Sequence, residues 1–278
     1  MTQTSGQVHI IGAGLLGTSI GLRLTNLGVQ VSLEDQSEHN LRTAIRLGAG
    51  RELLDGDQVS TVVVCVPPEA TAKVATQALD RFPNAIVTEI ASVKSAIHKH
   101  IALSDSHGKR FISSHPMAGK EISGPKGATA DLFIGKPWVI VGESSEEIEA
   151  LASDLGAVII HMDIEEHDQA VAKVSHLPQV ISSLLAGMFA EDDQKKLSIS
   201  GTGLADTTRI AASDPELWTQ ILSSNRENLL PLLESYGKAL QTLIEELKNN
   251  SNQEVAESIR KLMQAGNFGK ARIEESKP

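Results

Sequence analysis

The chain has 278 residues, of which 41% are hydrophobic and only 3% aromatic, so it can form one large domain or two ordinary ones around an aliphatic core. Its net charge of −10 excludes the basic footprint of a nucleic-acid-binding protein and requires that any anionic ligand be held by a few locally placed cations. The single Cys65 excludes an internal disulfide, and no stretch reaches the roughly 18 apolar residues of a membrane span.

A short apolar strand, a G-x-G-x-x-G turn and a helix open the chain, with the strand predicted at Val8–Ile11. In this context Gly12 permits the tight turn, Gly14 lets the backbone approach a pyrophosphate, and Gly17 lets helix and strand pack closely. The first turn of the helix offers free N–H groups and a positive dipole end to phosphate. The predicted dinucleotide contacts in this segment are Gly12, Gly14, Leu15, Leu16 and Gly17.

The second predicted strand is followed by an acidic residue that bears on the choice of dinucleotide. Asp35 lies 18 residues after Gly17, near the spacing expected of the carboxylate that binds a ribose diol. Because a carboxylate repels the 2′-phosphate of NADP, Asp35 favours NAD as the cofactor. Arg42 is close enough in sequence to keep NADP as the alternative.

Strand and helix patterns alternate through the first half of the chain, which predicts a parallel sheet with helices on both faces. The third strand ends at Pro67-Pro68, where it reaches the cofactor crevice, so Val66 and Pro67 join the predicted cofactor residues. The predicted strands are Val8–Ile11, Val29–Leu33, Thr61–Val66, Ala85–Glu89, Arg110–Ser113, Trp138–Val141 and Ala157–His161.

No strand pattern follows His161, and the second half is predicted to be helical. A long helix, Glu165–Ala190, is interrupted near Pro178, and a frayed tail is expected at Glu274–Pro278. We therefore predict an α/β, Rossmann-like, doubly wound parallel sheet over residues 1–164 and an all-α C-terminal domain over residues 165–278. The later predicted helices are Asp214–Ser224, Asn225–Lys248 and Gln253–Ala265.

Two polar segments follow strands of the first domain. In Ala91-Ser-Val-Lys94, Ser92 lies where ligands bind in open α/β folds, or it caps a helix over Val93–His100. In Ser113-Ser-His-Pro-Met-Ala-Gly119, His115 is placed for proton transfer, with a free pKa near 6.5 that suits a base. A structural loop histidine is the alternative for His115.

Two further segments lie in the helical half. Pro178 kinks the long helix beside Ser175 and His176, and kinks often border pockets, although a packing role for His176 is the alternative. Arg209, in a loop rich in Gly and Thr, presents a bidentate fork to a carboxylate or makes a surface ion pair. His167 and Asp168 are too irregularly placed for a metal site, and we predict none.

These four segments, in this order after the glycine turn, resemble the prephenate/arogenate dehydrogenases of tyrosine biosynthesis. The resemblance covers nearly the whole chain, and Ser114–Gly119 and Ser175–Pro178 are its most specific parts. It implies NAD-dependent oxidative decarboxylation of prephenate to 4-hydroxyphenylpyruvate. A small-molecule substrate and a homodimer formed through the helical domain are implied with it. Because Met1–Gly6 lacks a secretory pattern, we expect a cytoplasmic protein without membrane or nucleic-acid partners.

The resemblance also implies a role for each motif residue. His115 draws the proton from the ring hydroxyl of the substrate, and Ser92 and Ser175 hold that same hydroxyl. Arg209 binds a substrate carboxylate. The remaining residues implied at the substrate are His176, Gln179, Asp206, Trp218 and Glu121.

Two departures from the family pattern keep alternatives open. Gln179 stands where several relatives carry a second His, and Ala205 stands where many carry a basic residue. Glu121 is retained and can pair with an ammonium group, which suits arogenate. Conversion of arogenate to tyrosine is therefore the first alternative. Another β-hydroxyacid-type dehydrogenase or imine reductase, or an NAD(H) sensor without turnover, is less well supported, because neither requires His115 and Arg209 together.

Overall fold

The structure of the chain is a computed structural model that describes residues 2–101, 105–120, 122–249 and 251–277. Its first half contains an eight-stranded sheet. The strands are β1 (Gln7–Ile11), β2 (Val31–Glu34), β3 (Arg51–Glu52), β4 (Val59–Val64), β5 (Ile86–Glu89), β6 (Phe111–Pro116), β7 (Pro137–Val141) and β8 (Val158–Met162). Their order across the sheet is β3-β2-β1-β4-β5-β6-β7-β8.

The predicted doubly wound sheet is confirmed, with one reversal at its far edge. Strands β1 to β6 are mutually parallel, but β7 pairs antiparallel with β6 and places Val139 opposite His115. Two parallel neighbours need a connection that crosses from one end of the strands to the other. The chain after β6 instead enters β7 from the same end of the sheet, after a loop that contains a 3₁₀ turn at Pro125–Gly127. The short strand β3 was not predicted, because two residues carry no periodic signal.

Helices of the first domain cover both faces of this sheet and bury two aliphatic clusters. One cluster contains Ile10, Ile20 and Trp138, and the other contains Val62 and Leu79. These helices are α1 (Leu15–Asn26), α2 (Glu38–Arg46), α3 (Pro68–Arg81), α4 (Ser95–His100), α5 (Asp105–Gly108) and α6 (Glu146–Asp154).

The second half is helical, as predicted. The long helix is present as α7 (Ile164–Val171) and α8 (Leu177–Gly187), joined by a π turn at Ala172–His176. Pro178 has no N–H to donate to Val174, and Leu177 N–H instead donates to Ala172, five residues back. The other helices are α9 (Gln194–Leu197), α10 (Thr202–Thr208), α11 (Pro215–Ser224), α12 (Arg226–Asn249) and α13 (Asn252–Glu275).

Three local predictions were wrong. Helix α4 begins at Ser95, not at Val93, so Ser92 is not its N-cap. The segment before Arg209 is a helix, α10, rather than a loop, and Arg209 begins a 3₁₀ turn. Helix α13 continues to Glu275, because alternating charged pairs such as Lys270 with Glu274 support its last turns.

Every helix within the described ranges is too short or too polar to cross a bilayer. Helix α7 begins at Ile164, where the side chain of Asp163 accepts the backbone N–H of Glu166 at 2.7 Å. The boundary between residues 164 and 165 stays a prediction.

Candidate active site

The glycine turn lies at the switch point of the sheet, where β1 has β2 on one side and β4 on the other. Gly12 has a φ of +109°, and a Cβ there would lie 2.4 Å from the carbonyl oxygen of Cys65. A Cβ at Gly17 would lie 2.0 Å from the carbonyl oxygen of Gly12. Gly14 faces open space. Gly12 and Gly17 therefore shape the turn, and Gly14 leaves room for a diphosphate.

The start of α1 and the end of β2 complete a dinucleotide cradle. Gly14 is the N-cap of α1, and the first turn, which begins with Leu15 and Leu16, carries no acidic side chain to neutralise the positive helix end. The carboxylate of Asp35 accepts the backbone N–H of Ala13 at 2.6 Å and that of Ser37 at 2.7 Å. Asp35 is thereby held against the turn, at the place where a ribose diol would meet it.

The end of β4 forms the neighbouring wall of this crevice. The backbone N–H of Cys65 donates to Ile11 at 2.7 Å, so the strand stays paired with β1 up to the turn. Val66 follows half-buried, and Pro67 is the exposed N-cap of α3. These residues fit the cofactor role predicted for them, which stays a prediction.

A chain of three buried side chains joins the sheet to the helical domain. Nδ1 of His115, on β6, lies 2.9 Å from Nε2 of His167, and Nδ1 of His167 lies 2.8 Å from Oδ1 of Asp168. His115 is therefore within the strand and not in a loop after it, and it is only 8% exposed. No sequence pattern places His167 and Asp168, on α7, beside it.

The direction of each proton in this chain follows from Asp168. Its carboxylate can only accept, so Nδ1 of His167 carries a hydrogen and Nε2 of neutral His167 accepts. Nδ1 of His115 must then donate to that nitrogen. The lone pair of His115 is left on Nε2, which makes this atom the proton acceptor of the site.

Burial sets the charges of this chain. Burial and the positive charge of Lys94 hold the pKa of His115 well below its usual 6.5. Burial raises the pKa of Asp168, but hydrogen bonds from His167 and from the backbone N–H groups of Lys94 and Ser95 outweigh it and bring the pKa to about 2. At neutral pH His115 is therefore a neutral imidazole and Asp168 a carboxylate.

The same carboxylate caps the helix that follows Ser92. Asp168 accepts the backbone N–H groups of Lys94 at 2.9 Å and of Ser95 at 2.8 Å. The cap of α4 thus comes from the other domain, which explains why Ser92 is not needed for it. On the other side of Ser92, the backbone N–H of Ala91 donates to Glu89 at 2.8 Å.

A fully buried ion pair lies next to His115, at the end of β6. Nζ of Lys94 lies 2.7 Å from Oε1 of Glu89 and 2.5 Å from the carbonyl oxygen of Ser114. Ser113 also donates to Glu89. The segment containing Ser92 and the end of β6 are therefore held together by one cation.

The helical domain contributes a second imidazole. His176, at the end of the π turn, is buried, and its ring packs edge-on to Trp218 with centroids 6.1 Å apart. Burial lowers the pKa of His176 to about 4. Gln179 donates to the carbonyl oxygen of Ile210 at 2.9 Å, which ties α8 to the turn begun by Arg209.

The structure does not draw all the predicted residues into this network. Ser175 is half-buried in the π turn, and Arg209 and Asp206 are exposed on the outer turns of the helical domain. Glu121 lies outside the described residues. The roles of these residues, like that of Ser92, stay predictions. Within the described ranges, acidic, His and Cys side chains form no group of three suited to a metal ion.

Two family models match the chain. "Prephenate dehydrogenase, nucleotide-binding domain" matches residues 20–161, and "Prephenate dehydrogenase, dimerization domain" matches residues 163–264. A probable prephenate dehydrogenase of Streptomyces niveus is 32% identical over 86% of this chain and 68% of that protein. The cyclohexadienyl dehydrogenase of Zymomonas mobilis is 33% identical over 85% of this chain and 86% of that protein.

Solved structures share the whole architecture. Prephenate dehydrogenase from A. aeolicus, in complex with hydroxyphenyl propionate and NAD+, aligns with a TM-score of 0.81 and 25% identity over 95% of this chain and 98% of that one. Arogenate dehydrogenase from Synechocystis aligns with a TM-score of 0.72 and 26% identity over 96% of this chain and 99% of that one.

Proposed function

The chain belongs to the prephenate dehydrogenase family, and from this premise we propose that it converts prephenate to 4-hydroxyphenylpyruvate by NAD-dependent oxidative decarboxylation. The observation that carries the proposal is the buried chain of His115, His167 and Asp168, which leaves one base at the edge of a dinucleotide-binding sheet. The substrate is a small molecule, and the chain is an oxidoreductase.

The reaction requires one proton to be taken and given back. NAD, held by the glycine turn and Asp35, would supply the acceptor for a hydride from the carbinol carbon of the substrate. His115 Nε2 takes the hydroxyl proton as the hydride leaves, and Ser92 and Ser175 orient that hydroxyl. The ring carboxylate departs as CO2, its bonding electrons make the ring aromatic, and His115 returns the proton to the phenolate oxygen. Such base assistance contributes about 10²–10⁴-fold.

Arogenate is the second candidate substrate. Its side chain carries an ammonium group where prephenate has a keto group, and the similarity to the Synechocystis arogenate dehydrogenase favours it. Gln179 and Glu121 are the residues proposed to meet that group, together with a pocket wall formed by Asp206 and Trp218.

An absorbance assay at 340 nm, which follows the formation of NADH, tests prephenate and arogenate as substrates. NAD+ is supplied with prephenate or with arogenate, and each mixture is repeated with NADP+. We expect turnover of prephenate with NAD+, and the ratio of the two kcat/KM values assigns the substrate. Binding of NAD+ without turnover of either compound would contradict the proposed activity and support an NAD(H) sensor.

Substitution of Arg209 tests the proposed carboxylate anchor. Arg209→Ala is expected to raise KM for prephenate about 10–100-fold, because a charge-assisted bidentate contact is lost. The KM for NAD+ should stay within about twofold, since the residue lies in the helical domain. Arg260→Ala, which removes an exposed Arg of the same domain, is the control. An unchanged KM for prephenate would place the anchor elsewhere.

The low pKa of His115 predicts how the rate depends on pH. The base must be neutral, and its pKa lies well below 6.5, so it stays deprotonated as the pH falls through 6.5. We expect kcat/KM to be level between about pH 6.5 and 8 and to fall only in more acid solution. A profile of kcat/KM against pH measures this. An acid limb centred at 6.5 or above would contradict the assignment.

We further propose a homodimer formed through α12 and α13. None of the 24 residues of α13 is buried, and its large apolar side chains are among the exposed ones: Phe268 is 68% and Met263 57% exposed. On α12, Leu240 is half exposed as well, so the two helices present an apolar surface that a second copy would cover. Sedimentation equilibrium should give twice the chain mass of 29.7 kDa. Phe268→Asp should weaken this association. A wild-type mass of one chain at micromolar concentration would contradict the dimer.

The surroundings in which the enzyme works follow from its charge and its relatives. We propose a cytoplasmic location, because the similar proteins are biosynthetic enzymes. A net charge of −10 supports the absence of a nucleic-acid partner.

A further inference from the structure

One buried polar side chain beside the site has no part in the proposed mechanism. Asn225 is the C-cap of α11 and is 3% exposed. Its Nδ2 lies 2.8 Å from the carbonyl oxygen of Asp168 and 3.2 Å from Nδ1 of His176. Its Oδ1 accepts from Nδ2 of Asn228 at 2.8 Å. Asn225 thus contacts both α7, which carries His167 and Asp168, and the imidazole of His176.

The orientation of this amide is fixed by its partners. A backbone carbonyl oxygen only accepts, so the atom of Asn225 that faces Asp168 must be the NH2 group. The same NH2 faces His176, and Nδ1 of His176 must therefore be the acceptor. A neutral imidazole carries its hydrogen on the other nitrogen, so Nε2 of His176 is an N–H donor.

The π turn brings these groups onto one side of the helix. Eight residues of regular α-helix would place Asp168 and His176 about 80° apart around the axis, whereas one inserted residue reduces the separation to about 20°. The insertion at Ala172–His176 therefore lets Asn225 contact both residues at once. Without it, the His176 ring would turn away from the amide.

We propose that Asn225 is a positioning residue that holds His176 as its Nε2–H tautomer, so that the site contains one imidazole that accepts a proton and one that donates a hydrogen bond. This proposal rests on the proposed function for the identity of the substrate. His115 offers a lone pair at Nε2, and His176 offers an N–H to an oxygen of the substrate, either a carboxylate or a keto oxygen. The low pKa of His176 keeps it a neutral donor at the pH of the reaction.

Nitrogen NMR of the substrate-free protein tests the tautomer directly. The chain is labelled with ¹⁵N-histidine, and the two-bond proton–nitrogen correlations of each ring show which nitrogen is protonated. The His176 signals are identified by their loss in His176→Gln. We expect Nε2–H for His176 in the wild-type protein. Nδ1–H, or a doubly protonated ring at pH 7, would overturn the proposal without bearing on whether prephenate is turned over.

Two variants separate positioning from packing. Asn225→Ala removes the NH2 group and should give a mixture of His176 tautomers, with KM for prephenate raised about tenfold and kcat changed less. Asn228→Ala is the matched control, because the carbonyl of Asp168 still orients the amide. It should keep Nε2–H and a normal KM. Should Asn225→Ala keep a single Nε2–H tautomer and a wild-type KM, Asn225 only packs the domain.

Discussion

Replacing His115 with Asn is expected to lower kcat about 10²–10⁴-fold, because the amide has no group that titrates near neutral pH and takes up the hydroxyl proton. Its side chain still fits beside His167 and can still bond to it. The KM for prephenate is therefore expected to change by less than about threefold, since Arg209 and the helical domain supply the proposed substrate contacts.

Steady-state kinetics on His115→Asn, with cofactor binding followed by fluorescence, measures both effects. His161→Asn is the matched control, because His161 lies on β8 with an exposed side chain that makes a surface contact with Glu149. It should leave kcat unchanged. A kcat for His115→Asn within about tenfold of wild type would remove His115 as the base.

Much of the fold could be predicted because its signals are local. Buried parallel strands are recognised as runs rich in Val and Ile. The turn at Gly12–Gly17 is recognised by its glycines, and at Gly12 and Gly17 a Cβ atom would clash with the backbone. The reversal of β7 could not be predicted, since β7 has the same composition as its parallel neighbours and only the path of the chain after Pro116 sets its direction. The π turn likewise depends on how α8 restarts at Pro178.

The site was predicted only as far as its motifs reach. His115 and His176 were found because they stand in distinctive sequences, but His167 and Asp168 were set aside as too irregularly placed. Their role depends on the docking of α7 against the end of β6, which is a long-range contact with no sequence period. Asn225 was missed for the same reason, because a C-terminal Asn of a helix is common and its partners are distant in sequence.

The second large effect is expected at Asp168, whose carboxylate accepts hydrogen bonds from Nδ1 of His167 and from the backbone N–H groups of Lys94 and Ser95. Asp168→Asn replaces one accepting oxygen with an NH2 group that faces a donor. Either the cap of α4 is lost, or His167 reverses its tautomer and His115 presents Nε2–H instead of a lone pair. We expect kcat to fall about 10²–10⁴-fold, as for loss of the base itself.

The pH profile distinguishes this role from a structural one. The negative charge of Asp168 raises the pKa of His115, although burial keeps that pKa low. Removing the charge must lower the pKa further, so the acid limb of kcat/KM in Asp168→Asn should move to lower pH. Asp163→Asn, which removes an exposed capping carboxylate from the same helix, should shift neither kcat nor the limb. If Asp168 only stabilises the fold, the folded fraction will fall while the limb stays in place, because the carboxylate would then have no influence on the pKa of the base.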